Sequence, residues 1–578
     1  MIKFLYSTLL EYRLRIILFI SFQIISGFIP IIIAWSIAEL INTISITHTW
    51  IIEIFIFVAV IAILLSLQEI ISLIHNFLSF SIERRVSQKI NLAFMEKVAL
   101  WPGNDIFEDP KLRSKLTLAK DGINRVNNII WSVSSTLRGF FSLLPAIFAS
   151  FIFTWWIPTV LLLTVIPMMY VMVKSQHKVW NVYSDHAELF KNLHIKEHCL
   201  TSDEFSKELR LYGMQARLLE QWKKDNEYIT NKLGHLRKYA LIKTLFWCLP
   251  CIIGLSVSLF YIVSGAIHGS FSLGNLSFLL SLIVQFISSS LHLLYGVIEL
   301  LGIKLSILPL ITLLKTKYEE IKKENKIPEH SDILLEFKNV SFSYGNGNVL
   351  HNLNFQLKTG QSLAIVGENG AGKSTLVKLI SRFYKPSSGT IFWKGVDINT
   401  INRNEYYKQI SAVFQDFAKF PLSIRENIDP GQLSTKDDNL RPILVMVDLS
   451  NIKDNLDLIL SRQLKGGIEL SGGQWQRLAI ARTLLSYKHG VDLVIFDEPT
   501  SALDANIEYS IANHLTEVMK NTTSIIISHR LSLSKLADKI IVIENGKIIE
   551  SGNHNDLIKS GGIYSSMFQK QADTYIRS

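Results

Sequence analysis

The chain has 578 residues, too many for one hydrophobic core, so two or more domains are expected. With 48% apolar residues, 19% charged residues and a mean hydropathy of +0.27, it suits one lipid-facing half and one water-soluble half. The net charge of +10 excludes nothing alone, but Lys and Arg form no stripe and sit between apolar runs, which argues against a nucleic-acid partner, and three cysteines are too few for a disulfide framework.

In chain order, Lys3, Arg13 and Arg15 precede an apolar run without a small-residue cleavage site, so a retained first helix is expected rather than a cleavable signal. Residues 16–83 contain no Lys or Arg, too long for one span and suited to two joined near 45–50, with Pro30 kinking the first. Residues 139–173 carry no charge and predict two helices turning tightly at Trp155, Trp156 and Pro158, with the Trp pair at the membrane–water interface. Residues 244–303 again lack Lys and Arg and predict two more, turning near 268–270. The six expected spans are about 16–43, 51–80, 133–155, 158–180, 243–266 and 272–302. Cys248 and Cys251 match C-x-x-C but fall inside an apolar span, where they read as packing residues.

Orientation follows from charge. Residues 84–138 carry ten Lys or Arg and residues 174–243 carry thirteen, whereas the three short turns carry none. Both basic segments and both termini are therefore expected in the cytoplasm of a multi-pass protein. These segments are rich in helix formers, which predicts long helical extensions. Two interruptions, 102–110 and 211–213, read as turns at their far tips. Gln23, Glu69, His75, Gln285 and His292 lie where lipid contact is costly, so they are expected to face the bundle interior, lining a cavity or bonding between helices.

Residues 316–332 are polar and read as a linker ending near Pro328. From 333 to 578, strand-like stretches (335–340, 362–366, 493–496, 524–527) alternate with helical ones. That pattern predicts an α/β domain with a substantially parallel sheet. The apolar stretch 362–366 runs straight into Gly367-Glu368-Asn369-Gly370-Ala371-Gly372-Lys373-Ser374-Thr375, with a helix expected after it. This is the phosphate-loop pattern in its required strand–loop–helix context. Backbone N–H groups would close around phosphates, Lys373 would reach the β- and γ-phosphates of ATP, and Ser374 would ligate Mg²⁺. The apolar stretch 493–496 ends in Asp497 and Glu498, which predicts Asp497 on the metal side and Glu498 as general base for the attacking water.

Leu470-Ser471-Gly472-Gly473-Gln474, set between the phosphate loop and Asp497-Glu498, gives the chain its resemblance to the ABC transporters. Six helices followed by one such P-loop ATPase domain resemble the half-transporter plan of ABC exporters over essentially the whole chain. The resemblance implies that Tyr344 stacks on adenine, that Gln415 senses Mg²⁺ and the membrane domain, that Asp504 lies on a loop crossing a dimer interface, and that His529 contacts the γ-phosphate. It also implies a dimer in which the phosphate loop of one copy faces Ser471, Gly472, Gly473 and Gln474 of the other. Because Glu498 and the 470–474 string are intact, a homodimer would hold two competent sites.

Residues 107–110, 207–213, 415–417 and 474–476 resemble those of bacterial exporters of lantibiotics and other bacteriocins. The first helix begins near Ile16, which leaves no room for an N-terminal peptidase, so any leader would be removed by another protein. The resemblance therefore implies ATP-driven export of a peptide across the bacterial cytoplasmic membrane. A multidrug or lipid exporter of the same fold, and an ATP-gated regulatory or immunity protein that moves nothing, are the alternatives.

Overall fold

A computed structural model describes residues 13–45, 51–126, 128–153, 155–316, 325–345, 347–431, 436–500, 503–528 and 531–576. The chain divides into two compact units, Met1–Leu100 with Ile106–Thr316, and Trp101–Asp105 with Lys317–Ser578.

Among its described residues, the first unit is built of helices joined by short turns. Its elements are α1 (Arg13–Ser45), α2 (Ile51–Ala99), α3 (Asp105–Glu108), α4 (Pro110–Val126), α5 (Asn128–Phe153), α6 (Trp156–Asp185), α7 (Ala187–Thr201), α8 (Ser206–Leu211), α9 (Met214–Ile267) and α10 (Leu273–Lys315). Among the described residues, α1, α2, α5, α6, α9 and α10 are each long and apolar enough to cross a membrane. Helix α1 runs through Pro30, and α9 continues for 54 residues from a polar first half into an apolar second half. The expected turn at 45–50 falls largely outside the described residues. The first interruption contains a short helix, α3, whereas a second short helix, α8, runs up to Leu211 at the start of the 211–213 interruption, and Gly213 then caps α9 in the left-handed conformation at φ 61°.

Lipid tails are as apolar as Leu, so burial alone does not drive these helices together and close packing must. The seam between α5 and α10 shows how. A Cβ at Gly139 would strike the backbone of Leu293, and one at Gly296 would strike the backbone of Ser132 and Thr136. Along the same seam, Ser142 donates to Ser289 at 2.7 Å and Ser135 donates to the His292 carbonyl at 3.0 Å. A second contact is polar. Buried Gln23 (α1) meets His75 (α2) and donates to Ser134 (α5) at 2.7 Å, with Phe19 stacked on the His75 ring. Gln23 and His75 thus face inward and bond between helices, and Gln285 is half-buried. Glu69 and His292, by contrast, are exposed on the single chain, contrary to the inward orientation that the sequence suggests.

Among its described residues, the second unit carries two sheets. A four-stranded antiparallel sheet has the order β2-β1-β4-β5, with β1 (Ile333–Ser343), β2 (Asn348–Lys358), β4 (Ser388–Trp393) and β5 (Val396–Asp397). A six-stranded sheet has the order β10-β9-β3-β8-β7-β6, with β3 (Ser362–Val366), β6 (Ile410–Val413), β7 (Leu493–Asp497), β8 (Thr523–Ile527), β9 (Lys539–Glu544) and β10 (Lys547–Gly552). From β9 to β6 all pairings are parallel. Strands β3, β7 and β8 are buried on both faces, as the near-continuous Val/Ile/Leu runs require. Alternate residues serve two cores. Leu363, Ile365, Ile495 and Ile527 join the layer shared with the antiparallel sheet and α11 (Lys373–Ile380), whereas Ala364, Val366, Phe496 and Ile526 join the opposite layer. That second layer is covered by α14 (Asp437–Met446), α15 (Gly472–Lys488) and α16 (Ala505–Asn521), which follow two short helices, α12 (Arg403–Tyr407) and α13 (Ile424–Ile428).

The α5–α10 seam makes a prediction. Gly139→Leu must push two backbones apart, at a cost of about 1–3 kcal/mol. It should lower the thermal unfolding temperature of the detergent-solubilised protein by several degrees, whereas Gly234→Ala, with nothing near its Cβ, should not lower it. Equal melting curves for both variants would count against the seam.

Candidate active site

The parallel pairing aligns strand ends. In register, Ile365 of β3 pairs with Ile527 of β8, and Ile527 pairs with Asp497 of β7. The loop after β3 and the carboxylates ending β7 therefore emerge at the same edge, the carboxyl end of the sheet, where open α/β folds bind ligands.

At that edge, residues 367–372 connect β3 to α11. Gly372 stands at φ 102°, where L side chains are strained, and a Cβ there would press on Leu350 and Val349. Glu368, Asn369, Gly370 and Ser374 are exposed, while Gly367, Ala371, Gly372, Lys373 and Thr375 are buried. Lys373 folds back over the loop and donates to the carbonyls of Gly367 and Glu368, both at 2.8 Å. Burial pulls its ammonium below the usual lysine range, and the negative charges of Glu498 and Asp497 oppose that shift.

Asp497 is 4% exposed, and its Oδ1 has no hydrogen-bond partner. Burial pushes its carboxyl up to about 6; the charges of Glu498 and Asp416 add to the shift and Lys373 opposes it. Glu498 is half-buried and accepts from Gln415 Nε2 at 3.2 Å. Its backbone lies at φ 52°, with its N–H bonded to the Ile527 carbonyl at 2.9 Å. An ammonium, two carboxylates and a side-chain amide thus converge beside a loop of exposed backbone, an arrangement that can hold a polyanion and a cation and polarise a water molecule.

Tyr344, 47% exposed, packs edge-on against Phe342 and Tyr384, and its hydroxyl lies 3.4 Å from Thr375 Oγ1. One ring face near the loop is thus within reach of solvent. Ser471 caps α15. Its side chain accepts from Gln474 N at 3.3 Å, and its N–H donates to Gln474 Oε1 at 2.9 Å, a capping box that presents Gly472 and Gly473 in the first turn. Among the described residues, no hydrogen bond joins Ser471–Gln474 to the 367–375 loop of the same chain. Asp504 is exposed at the start of α16 and makes no side-chain cap. His529 lies outside the described residues.

Two features escape sequence reading. Gln476, 2% exposed, donates its amide to the Glu498 carbonyl at 3.2 Å. In addition, α12 holds the far end of the loop helix. Tyr406 and Tyr407 hydroxyls donate to the carbonyls of Ile380 and Ser381 at 2.7 and 3.0 Å, and Arg403 donates to the Arg382 carbonyl at 3.0 Å. These are the orphan acceptors of a helix C-terminus. The Tyr-Tyr pair of 406–407 was the available signal, but nothing in the sequence says which carbonyls it reaches.

Known proteins place these features in context. The ABC transporter family model matches residues 350–501. The subtilin transport ATP-binding protein of Bacillus subtilis is 30% identical over 568 residues, covering 96% of this chain and 91% of that protein. The nisin transport ATP-binding protein of Lactococcus lactis subsp. lactis is 27% identical over 579 residues, covering 97% and 94%. The ATP-dependent lipid A-core flippase of Alcanivorax borkumensis is 36% identical over 266 residues, covering 45% of each chain. In three dimensions, the structure of a bacterial Atm1-family ABC exporter with ATP bound superposes at a TM-score of 0.80 with 20% identity, covering 97% of this chain and 99% of that one. With six membrane-crossing helices followed by an ATP-binding α/β domain that hydrolyses ATP to drive transport, this chain belongs to the ABC transporter family and has the half-transporter plan of its exporters.

Proposed function

We propose that two copies of this chain form an exporter that moves a ribosomally made antimicrobial peptide out of the bacterial cytoplasm. The observation that carries the peptide reading is extent. Likeness to the subtilin and nisin transport proteins runs through the membrane helices as well as the ATPase domain, and cargo is handled by the membrane helices. The lipid A-core flippase shares a stretch covering only 45% of this chain, which makes a lipid exporter the second reading.

In this reading residues 1–315 are the membrane domain, 316–332 the linker and 333–578 the ATPase domain, and the basic segments keep the ATPase on the cytoplasmic side of the inner membrane. Loop N–H groups and Lys373 hold the phosphates of ATP, and the exposed ring of Tyr344 offers adenine a stacking face. The second copy supplies Ser471–Gln474, which makes no bond to the loop of its own chain. ATP therefore binds the closed dimer better than the open one, and only such a difference in affinity can drive the helices from one arrangement to the other. Glu498, steered by Gln415, takes the proton of the attacking water. His529 and Asp504 are assigned to the γ-phosphate and to the dimer interface on resemblance.

The residues suit Mg²⁺. Asp497 Oδ1 is a buried acceptor without a donor, the Ser374 hydroxyl is exposed, and Gln415 adds an amide oxygen. A site with so few protein oxygens is usual for a cation that keeps waters and substrate phosphates in its shell. When bound, Mg²⁺ would neutralise charge on the phosphates during transfer.

Glu498→Gln should still bind ATP yet lose turnover by about 100-fold or more; turnover near wild type, measured as phosphate release, would remove Glu498 from the base role. The raised carboxyl of Asp497 sets a pH limit. A carboxyl pushed up to about 6 makes Mg²⁺ compete with a proton below that pH, so the Mg²⁺ concentration that gives half-maximal turnover should rise as pH drops through about 6. A Mg²⁺ requirement that stays unchanged down to pH 5 would contradict this assignment. For cargo, the purified protein in proteoliposomes should hydrolyse ATP faster when an amphipathic precursor peptide is added, and not when lipid A or a hydrophobic dye is added. Stimulation by lipid alone would favour the second reading.

A further inference from the structure

Glu498 is a β-carbon-bearing residue held at φ 52°, in the left-handed region that costs most residues about 1–3 kcal/mol and persists only where surrounding contacts over-determine it. Three of its tethers come from different elements. The N–H is bonded to Ile527 at the end of β8, the carboxylate accepts from Gln415 just beyond β6, and the carbonyl accepts from Gln476 on α15. Of these, the Gln476 amide is the one that joins the strained residue to a helix outside the sheet. Gln476 is buried one turn into α15, directly beyond the capping box that presents Ser471–Gln474. The helix that carries the 470–474 string at its tip is thus fastened, within the same chain, to the backbone of the proposed base.

We infer that Gln476 is a positioning residue for ATP hydrolysis: its amide fixes the Glu498 peptide in the left-handed conformation that aims the carboxylate at Gln415, and so makes the setting of the base depend on where the N-terminal end of α15 lies. The inference rests on the proposed role of Glu498. It adds that displacement of α15 at the 470–474 end is transmitted to the carboxylate of the same subunit through this hydrogen bond. Removing that bond frees the peptide to relax toward an ordinary backbone conformation, which turns the carboxylate away. Small misplacements of a reacting group are expensive, while nucleotide contacts made by the 367–375 loop are untouched.

The test uses the full-length protein in nanodiscs, with turnover normalised to nucleotide-binding stoichiometry so that misfolded molecules do not count. Gln476→Met, similar in length but without a donor, should lower kcat about 10- to 100-fold with the KM for ATP held within about threefold. In the Glu498→Gln background, adding Gln476→Met should leave the residual rate unchanged, because a residue that acts through the carboxylate has nothing left to position. A merely structural glutamine would instead multiply the loss. If Gln476→Met does not accumulate, Gln476→Glu, similar in shape and without a donor when ionised, is read the same way. Wild-type kcat in the single variant, or a further loss in the double variant, would overturn the inference. Turnover that survives Glu498→Gln itself would instead strike the proposed base, so the two failures are distinguishable.

Discussion

The charges at the sheet edge depend on one another. Burying an ammonium or a carboxylate alone is costly, and each usually answers by shifting its pKa toward the neutral form. Lys373 is pulled down and Asp497 pushed up, as burial demands, and each is the counter-charge that limits the other's shift. The pair nevertheless makes no direct bond. Lys373 is spent on two loop carbonyls, and Asp497 keeps an oxygen without a donor. A site built for stability alone would join them. The separation leaves Lys373 folded over the loop and Asp497 open to a cation, and the parallel ladder β3–β8–β7 enforces it by inserting a whole strand between their elements.

The two units meet the same demand for order by different means. In the ATPase unit, alternating side chains of four central strands feed two apolar layers, and hydrophobic burial supplies the stability. In the helical unit that driving force is absent within lipid, so order comes from close approach at Gly139 and Gly296 and from hydroxyl and amide bonds at Ser142, Ser135 and Gln23. Polar residues are costly in this setting, and Gln23, His75 and Ser134 therefore gather on one another across three helices. That explains why two of the five intramembrane polar residues pointed inward as expected. Glu69 and His292 find no such cluster among the described residues of one chain and remain on its surface.

What could be read from sequence was what is encoded locally. The phosphate loop is a contiguous string with a strand before it and a helix after it, and the membrane-crossing helices are contiguous apolar runs. The 335–340 stretch looked like one more strand of a mainly parallel sheet, yet β1 pairs antiparallel with β2 and β4 in a separate sheet. Its alternation marks it as a strand but carries no information on its partner. The same limit hid Gln476 and the Tyr406–Tyr407 cap. Their bonds span 22 and 26 residues and depend on where helices dock, which no local spacing records. The capping boxes at Ser423 and Ser471, by contrast, are local, each closed between residues three apart.

The strained backbone at Glu498 shows how these levels meet. Glycine would take φ 52° without cost but would bring no carboxylate, and relaxing the backbone of a glutamate would carry its side chain away from Gln415. The conformation must therefore be imposed from outside, and the structure imposes it at both peptide groups, from a neighbouring strand on one side and from α15 on the other. A tether from the sheet is rigid, because β8 is buried on both faces. A tether from the first turns of a helix is only as fixed as the end of that helix, and the exposed Ser471 and Gly472 that begin α15 have neighbours on one side only. The same geometry that strains the carboxylate into place thus leaves its restraint with one stiff anchor and one that can yield, and the yielding one is the anchor that a second copy of the chain would press upon.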